Sequence, residues 1–233
     1  MKKILALCLF SLFSFYTQAN IIIHSTRIIY PEGSKEITAQ LQNTGTQPAL
    51  VQAWLDDGNP ESTPETAKVP FILTPPVVKV EANSGQQLRI KFIGQSLAKD
   101  KESLFYLNIL DIPPIDETVQ DKNMMQIAIR SRIKLFYRPQ NLPFSIEKLA
   151  VHTKLLLNSH QATINNNTPY YLNVLALKEN KNTPNLLEEG TMIAPYSQFN
   201  LSLKKPFNSQ NKIAILTIVN DYGATEDLNI SVD

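Results

Sequence analysis

The chain has 233 residues, 43% of them hydrophobic, and a formal net charge of +1. That length suits one large domain or two ordinary ones, and the apolar fraction supports a true core. The near-zero charge excludes a strongly basic nucleic-acid binder and a polyacidic protein alike.

The N-terminus reads as a secretory signal spanning residues 1–19. Lys2 and Lys3 form a basic n-region, Ile4 to Phe15 a short apolar h-region, and Thr17-Gln18-Ala19 a cleavage site, so the mature chain is expected to begin at Asn20. The apolar run is shorter than the ~20 residues of a membrane span. No other segment could cross, so no direct membrane insertion is expected. The single cysteine, Cys8, lies inside this signal. The exported protein is therefore expected to hold together by its cores, without disulfides or thiols.

Ile21 to Tyr30 is rich in β-branched residues and closes at the turn Pro31-Glu32-Gly33. Lys35–Asn43 alternates through Ile37, Ala39 and Leu41, and Ala49–Leu55 follows with the only tryptophan, Trp54, read as a core aromatic. Val69–Val80 is broken by Pro75-Pro76, which predicts an edge position or a strand that changes sheets. Gln86–Ile93 and Leu104–Ile112 are further strands, and Ile115–Asn123 a short polar loop. Then comes an unusually long strand, Met124 to Pro139, whose odd positions Met125, Ile127, Ile129, Ile133, Leu135 and Tyr137 are apolar. Its even positions Arg130, Arg132 and Lys134 are cationic. Such a strand is either a docking edge or a long core strand.

Residues 20–139 thus form short strands at regular spacing with almost no helical periodicity, the pattern of an immunoglobulin-like antiparallel sandwich. Arg138 to Pro143 reads as a linker. Residues 140–233 carry further strand-like segments from Val151–Leu157 to Leu228–Val232, a second, smaller sandwich. The fold class is all-β with two domains.

Catalytic chemistry is missing from the pattern. His24, His152 and His160 lack zinc-ligand spacing, and there is no nucleophile elbow or phosphate loop. The pairs Asp56-Asp57 and Glu188-Glu189 read as solvated loop surface. Neither an enzyme nor a cofactor is expected.

Three motifs carry a family resemblance. The run Leu97 to Pro113, the segment Ile133-Lys134-Leu135-Phe136-Tyr137-Arg138-Pro139 and the start Thr26-Arg27-Ile28-Ile29-Tyr30-Pro31-Glu32-Gly33 resemble periplasmic pilus (fimbrial) assembly chaperones, the PapD-like family. Thr168-Pro169-Tyr170-Tyr171 and Val219-Asn220-Asp221-Tyr222-Gly223 extend the likeness into the second half. The short Ile115–Asn123 loop fits the short-loop class, although the cysteine pair that some members carry in the second domain is missing.

The resemblance implies two immunoglobulin-like domains in an L-shaped arrangement around a cleft, working in the periplasm. It implies pilin subunits as partners, an outer-membrane usher as recipient, and donor-strand complementation as the mode of binding. Met125, Ile127 and Ile129 would fill the subunit's groove. Arg27 and Lys134 would anchor its C-terminal carboxylate, which sets the register of the inserted strand. Glu102, Arg138 and Asp221 would form an interdomain ion network. Lys134 has opposite parity to Met125, Ile127 and Ile129 in a regular strand, so either cleft and groove faces differ or a bulge intervenes near Ser131. An exposed donor strand is an aggregation hazard, so a self-capping dimer of the free protein is also expected. The rival reading is a secreted two-domain adhesion or carbohydrate-binding module, with Tyr170-Tyr171 as its candidate aromatic site.

Overall fold

The β-rich sequence pattern becomes two successive sheet domains in the computed structural model, which describes residues 21–94, 96–114, 126–158, 160–207 and 212–232. In the first domain the strands are β1 (Ile21–Ile23), β2 (Arg27–Pro31), β3 (Ile37–Asn43), β4 (Ala49–Asp56), β5 (Phe71–Thr74), β6 (Val77–Val80), β7 (Gly85–Phe92), β8 (Ser103–Ile112) and β9 (Ile129–Arg138). They form a four-stranded sheet ordered β1-β3-β7-β5 and a five-stranded sheet ordered β2-β9-β8-β4-β6. All pairs are antiparallel except β2 with β9.

Three findings refine the sequence reading. Ile21–Tyr30 is two strands, because the chain crosses at His24-Ser25-Thr26 from β3 in one sheet to β9 in the other. The Pro75-Pro76 interruption separates β5 and β6, each an edge strand and each in a different sheet. The third concerns Trp54. Ala49, Val51, Ala53 and Leu55 point into the core, so Trp54, one residue out of phase, lies on the outer face of the five-stranded sheet. It is buried there with its indole N–H donated to Ser62 Oγ at 3.3 Å. The aromatic core is instead Tyr30, Phe71, Phe92, Phe105 and Tyr137, with ring centroids 4.7–6.4 Å apart. Such edge and offset contacts add to the area they bury. The Tyr30 hydroxyl is satisfied inside this cluster, donating to Ser34 O at 2.9 Å and accepting from Phe92 N at 3.1 Å.

The second domain opens with a 3-10 turn at Ile146–Lys148 and a short helix α1 (Leu149–His152), so the strand expected from Val151 begins only at Thr153. Its strands are β10 (Thr153–Asn158), β11 (Gln161–Asn166), β12 (Leu172–Lys178), β13 (Thr191–Ile193), β14 (Ser197–Ser202), β15 (Ile213–Val219) and β16 (Thr225–Val232). They make one sheet ordered β13-β12-β15-β16-β10-β11-β14, with β10 and β16 parallel. All seven contribute to a single core around Leu155, Ile164, Leu172, Leu177, Leu186 and Leu216, so the sheet curls around that core.

Candidate functional site

The ladder of the long strand is regular. β8 and β9 keep one register from Ser103 opposite Tyr137 to Asp111 opposite Ile129, with no bulge at Ser131. Of the two sequence-level alternatives, a difference of faces holds. Leu135 and Tyr137 belong to the core and Ile133 packs against it. Ile129 continues that face at the end of the ladder, 49% exposed, and Ile127 follows at 67%. Of the stretch expected to be one strand from Met124, the described residues 126–128 precede the ladder, which begins at Ile129. Met125, the third predicted groove-filling residue, lies outside the described residues.

At its C-terminal end, the opposite face of β9 meets the second domain through Phe136 and Arg138. The parallel register sets Arg27 directly beside Lys134. Arg27 donates from Nη1 to Val219 O, 2.8 Å away in the second domain, while its Nε is buried without a hydrogen-bond partner. Lys134 forms no ion pair among the described residues. Burial, and then the neighbouring Arg27, push the Lys134 ammonium below its ordinary value. Burial likewise lowers Arg27, opposed by Asp221. Two partly desolvated cations side by side favour a bound anion. Arg27 lines an interdomain cavity of about 240 Å3 together with Phe136, Asn173, Ile218, Asp221 and Tyr222; Lys134 does not line it.

Glu102, Arg138 and Asp221 come together at the seam. Arg138 donates from Nε to Glu102 Oε1 at 2.8 Å, and from Nη1 and Nη2 to the two Asp221 oxygens at 2.6 and 2.9 Å. Glu102 Oε2 accepts from Tyr171 N at 2.8 Å, and Glu102 N donates to Pro169 O at 2.9 Å. One carboxylate thus satisfies a cation and the second-domain backbone together. Burial raises the Glu102 carboxyl despite Arg138 and Tyr171. Burial also disfavours the charge on Arg138, but Asp221 and Glu102 prevail and hold its guanidinium above the ordinary value. The arginine's charge is the secure one; Glu102 depends on it.

Sequence reasoning missed the rest of the seam. Phe136 packs on Tyr171 with ring centroids 5.5 Å apart. Gly223, with φ of +81°, lets the Asn220–Ala224 turn touch the first domain: an added Cβ would lie 2.2 Å from Thr26 Oγ1. The Val219–Gly223 motif was the available signal. Tyr170 is buried, its hydroxyl donated to Phe144 O at 2.8 Å, so the aromatic pair proposed for a sugar site belongs to the domain junction. Asp56 is fully buried rather than solvated, because residues distant in sequence cover it. Glu188 and Glu189 are exposed as expected. Among the described residues no cluster of metal-ligating side chains and no membrane-length apolar helix occurs.

Comparison with known proteins covers nearly the whole described chain. The model of the PapD N-terminal domain of pili and flagellar-assembly chaperones matches residues 20–143, and that of the PapD C-terminal domain of pili assembly chaperones matches residues 145–230. Chaperone protein MrkB of Klebsiella pneumoniae is 43% identical over 239 residues, covering 100% of both chains. Chaperone protein HifB of Haemophilus influenzae is 45% identical over 222 residues, 92% of this chain and 88% of that protein. Among solved structures, the CupB2 chaperone of Pseudomonas aeruginosa aligns with a TM-score of 0.75 at 32% identity, over 91% of this chain and all of the other.

Proposed function

Because this chain belongs to the PapD family of pili assembly chaperones, we propose that it binds pilin subunits by donor-strand complementation and hands them to an outer-membrane usher. The observation that carries the mechanism is the division of β9. Its core face runs on past the sandwich as exposed Ile129 and Ile127, while its other face carries Lys134 in register with Arg27.

A subunit lacking its last strand presents an open groove and a strand edge. Ile127, Ile129 and, further along, Met125 enter that groove. Given their present exposure, the two isoleucines gain on the order of 1–2 kcal/mol each on full burial. Main-chain pairing adds affinity that does not depend on the subunit's sequence. Arg27 and Lys134 hold the subunit's terminal carboxylate, which fixes the register of the pairing. Glu102, Arg138 and Asp221 hold the two domains at the angle that forms the cleft.

In this reading residues 1–19 are a cleaved signal, 20–139 the donor-strand domain and 140–233 the second domain. The protein works in the periplasm without enzymatic activity, and two free copies cap one another's donor segments. The experiment is to co-express the chain with a pilin from the same genome and isolate complexes from the periplasm. A stable one-to-one complex that disappears in Arg27→Ala and in Lys134→Ala, with both variants still folded, supports the reading. Undiminished capture by the double variant refutes the carboxylate anchor.

A further inference from the structure

The outer face of the five-stranded sheet carries a polar cluster that neither the core nor the cleft uses. Asp56, on β4, is fully buried. It accepts from Arg132 Nη2 on Oδ1, from Arg132 Nε on Oδ2 at 3.1 Å, from Asn108 Nδ2 at 2.6 Å and from Gly58 N at 2.7 Å. Asn108, equally buried on β8, offers its Oδ1 to Arg130 Nη2 at 2.7 Å and Nε at 3.0 Å. Arg130 Nη1 reaches Pro60 O at 2.7 Å, and its guanidinium lies 4.8 Å from the Trp54 ring centroid. Arg132 lies 3.6 Å above the Tyr106 ring. With the second Asn108 Nδ2 hydrogen directed at Trp54 O, 3.5 Å away, every donor and acceptor of a buried carboxylate and a buried amide is used.

The placement along β9 gives the cluster its meaning. Side chains alternate across a strand, so within β9 Arg130 and Arg132 share the face opposite Ile129; continuing that alternation into residues 126–128, which precede the strand, puts Gln126 with the arginines and Ile127 with Ile129. Each member of the first set is tied to its own domain: Gln126 Nε2 donates to Pro113 O at 2.6 Å, and the two arginines belong to the cluster. Gln126, Ile127, Ala128, Ile129 and Arg130 are all exposed, so the two faces differ by the hydrogen bonds that Gln126 and Arg130 make to their own domain. The β8–β9 ladder ends at Ile129, so upstream of it main-chain pairing does not hold the strand's rotation.

We propose that the Arg130–Asn108–Asp56–Arg132 relay, with Gln126 ahead of it, is a positioning device that fixes which face of the donor segment is turned to the subunit. The proposal rests on the donor-strand reading above. A segment free to turn over would present Gln126, Ala128 and Arg130 to an apolar groove, and a desolvated guanidinium there is strongly unfavourable. Tethering that face backward selects the productive orientation before the subunit arrives, which removes an ordering cost from binding.

The sole cysteine of the chain is Cys8, so single cysteines report cleanly on the secreted form. Ile127→Cys and Ala128→Cys are each co-expressed with a pilin bearing one added cysteine in its groove, and disulfide yield is read. In an otherwise native chain, position 127 should be favoured at least about tenfold, the discrimination that one net charge-assisted hydrogen bond supplies. In Arg130→Met and in Arg130→Met/Gln126→Ala the ratio should fall towards one, and the melting temperature of the free chaperone should fall as well, because buried Asn108 Oδ1 loses the donors Arg130 supplies. A merely structural cluster would lower stability and leave the ratio intact. If the native chain favours 127 and the variants keep that preference, the positioning role is overturned while the donor reading stands. Absence of cross-linking at both positions in the native chain overturns the donor reading itself.

Discussion

Replacing Gly223 with alanine tests whether close approach of the domains holds the cleft. The new Cβ would sit 2.2 Å from Thr26 Oγ1, on a residue whose φ is +81°. A left-handed backbone costs a non-glycine residue about 1–2 kcal/mol. Thr26 must also leave its rotamer or shift its backbone, a further ~0.5–1.5 kcal/mol. The sum of ~1.5–3.5 kcal/mol corresponds to a drop of about 3–14 °C in melting temperature for a chain of this size. Calorimetry of the mature protein measures it. Gly223→Ala/Thr26→Ala should regain the steric part and keep the backbone part, because only the hydroxyl collision is removed. The same turn carries Asp221 and follows Val219, so pilin capture should weaken in the single variant and recover partly in the double. A Gly223→Ala protein melting within about 1 °C of its parent would refute the reasoning, as would a double variant with no recovery.

Two further outcomes follow from the buried charges. Arg138→Met strands Glu102, whose side chain is 2% exposed, and should cost ~3–5 kcal/mol in urea unfolding. Glu102→Gln/Arg138→Met should regain most of that, and a double variant as weak as the single would show that the stranded carboxylate is not the cause. At Asp56, burial favours the neutral acid, but hydrogen bonds from Arg132, Asn108 and Gly58 prevail and hold the carboxyl below its ordinary value. A folded pKa below the unfolded one gives stability that is complete above the unfolded value and is lost as pH falls through the folded one. Asp56→Asn should therefore flatten the loss of thermal stability below about pH 4; an unchanged acid limb would count against the ion pair.

The alternation of apolar residues revealed the strands, and the two prolines at 75 and 76 marked the change of sheet. The motifs around Arg27 and Lys134 sufficed to pair two residues more than a hundred positions apart, which the parallel register makes neighbours. Trp54 was misassigned through the habit of placing tryptophan in a core, although its parity with Leu50, Gln52 and Asp56 already set it on the outer face. Asp56 looked solvated because its partners lie on β8 and β9, and no local pattern announces a cross-sheet carboxylate. The contact between Thr26 and Gly223 was hidden for the same reason: a glycine shows that something comes near, not what. In the second domain, the helical turn before Thr153 escaped notice because Leu149 to Val151 reads equally well as the start of a strand.

The unbroken register of β9 also makes the strand a ruler. Lys134 lies five residues from Ile129 and seven from Ile127, about 17 and 23 Å along the chain at ~3.3 Å per residue. In the donor-strand reading proposed above, a client strand pinned by its end at Lys134 would meet the isoleucines at set positions counted from its own terminus. Lengthening that terminus by one residue turns every following side chain to the wrong side, and lengthening it by two restores the match one step displaced. On that reading, clients would be sorted by the parity of their tails as well as by their chemistry.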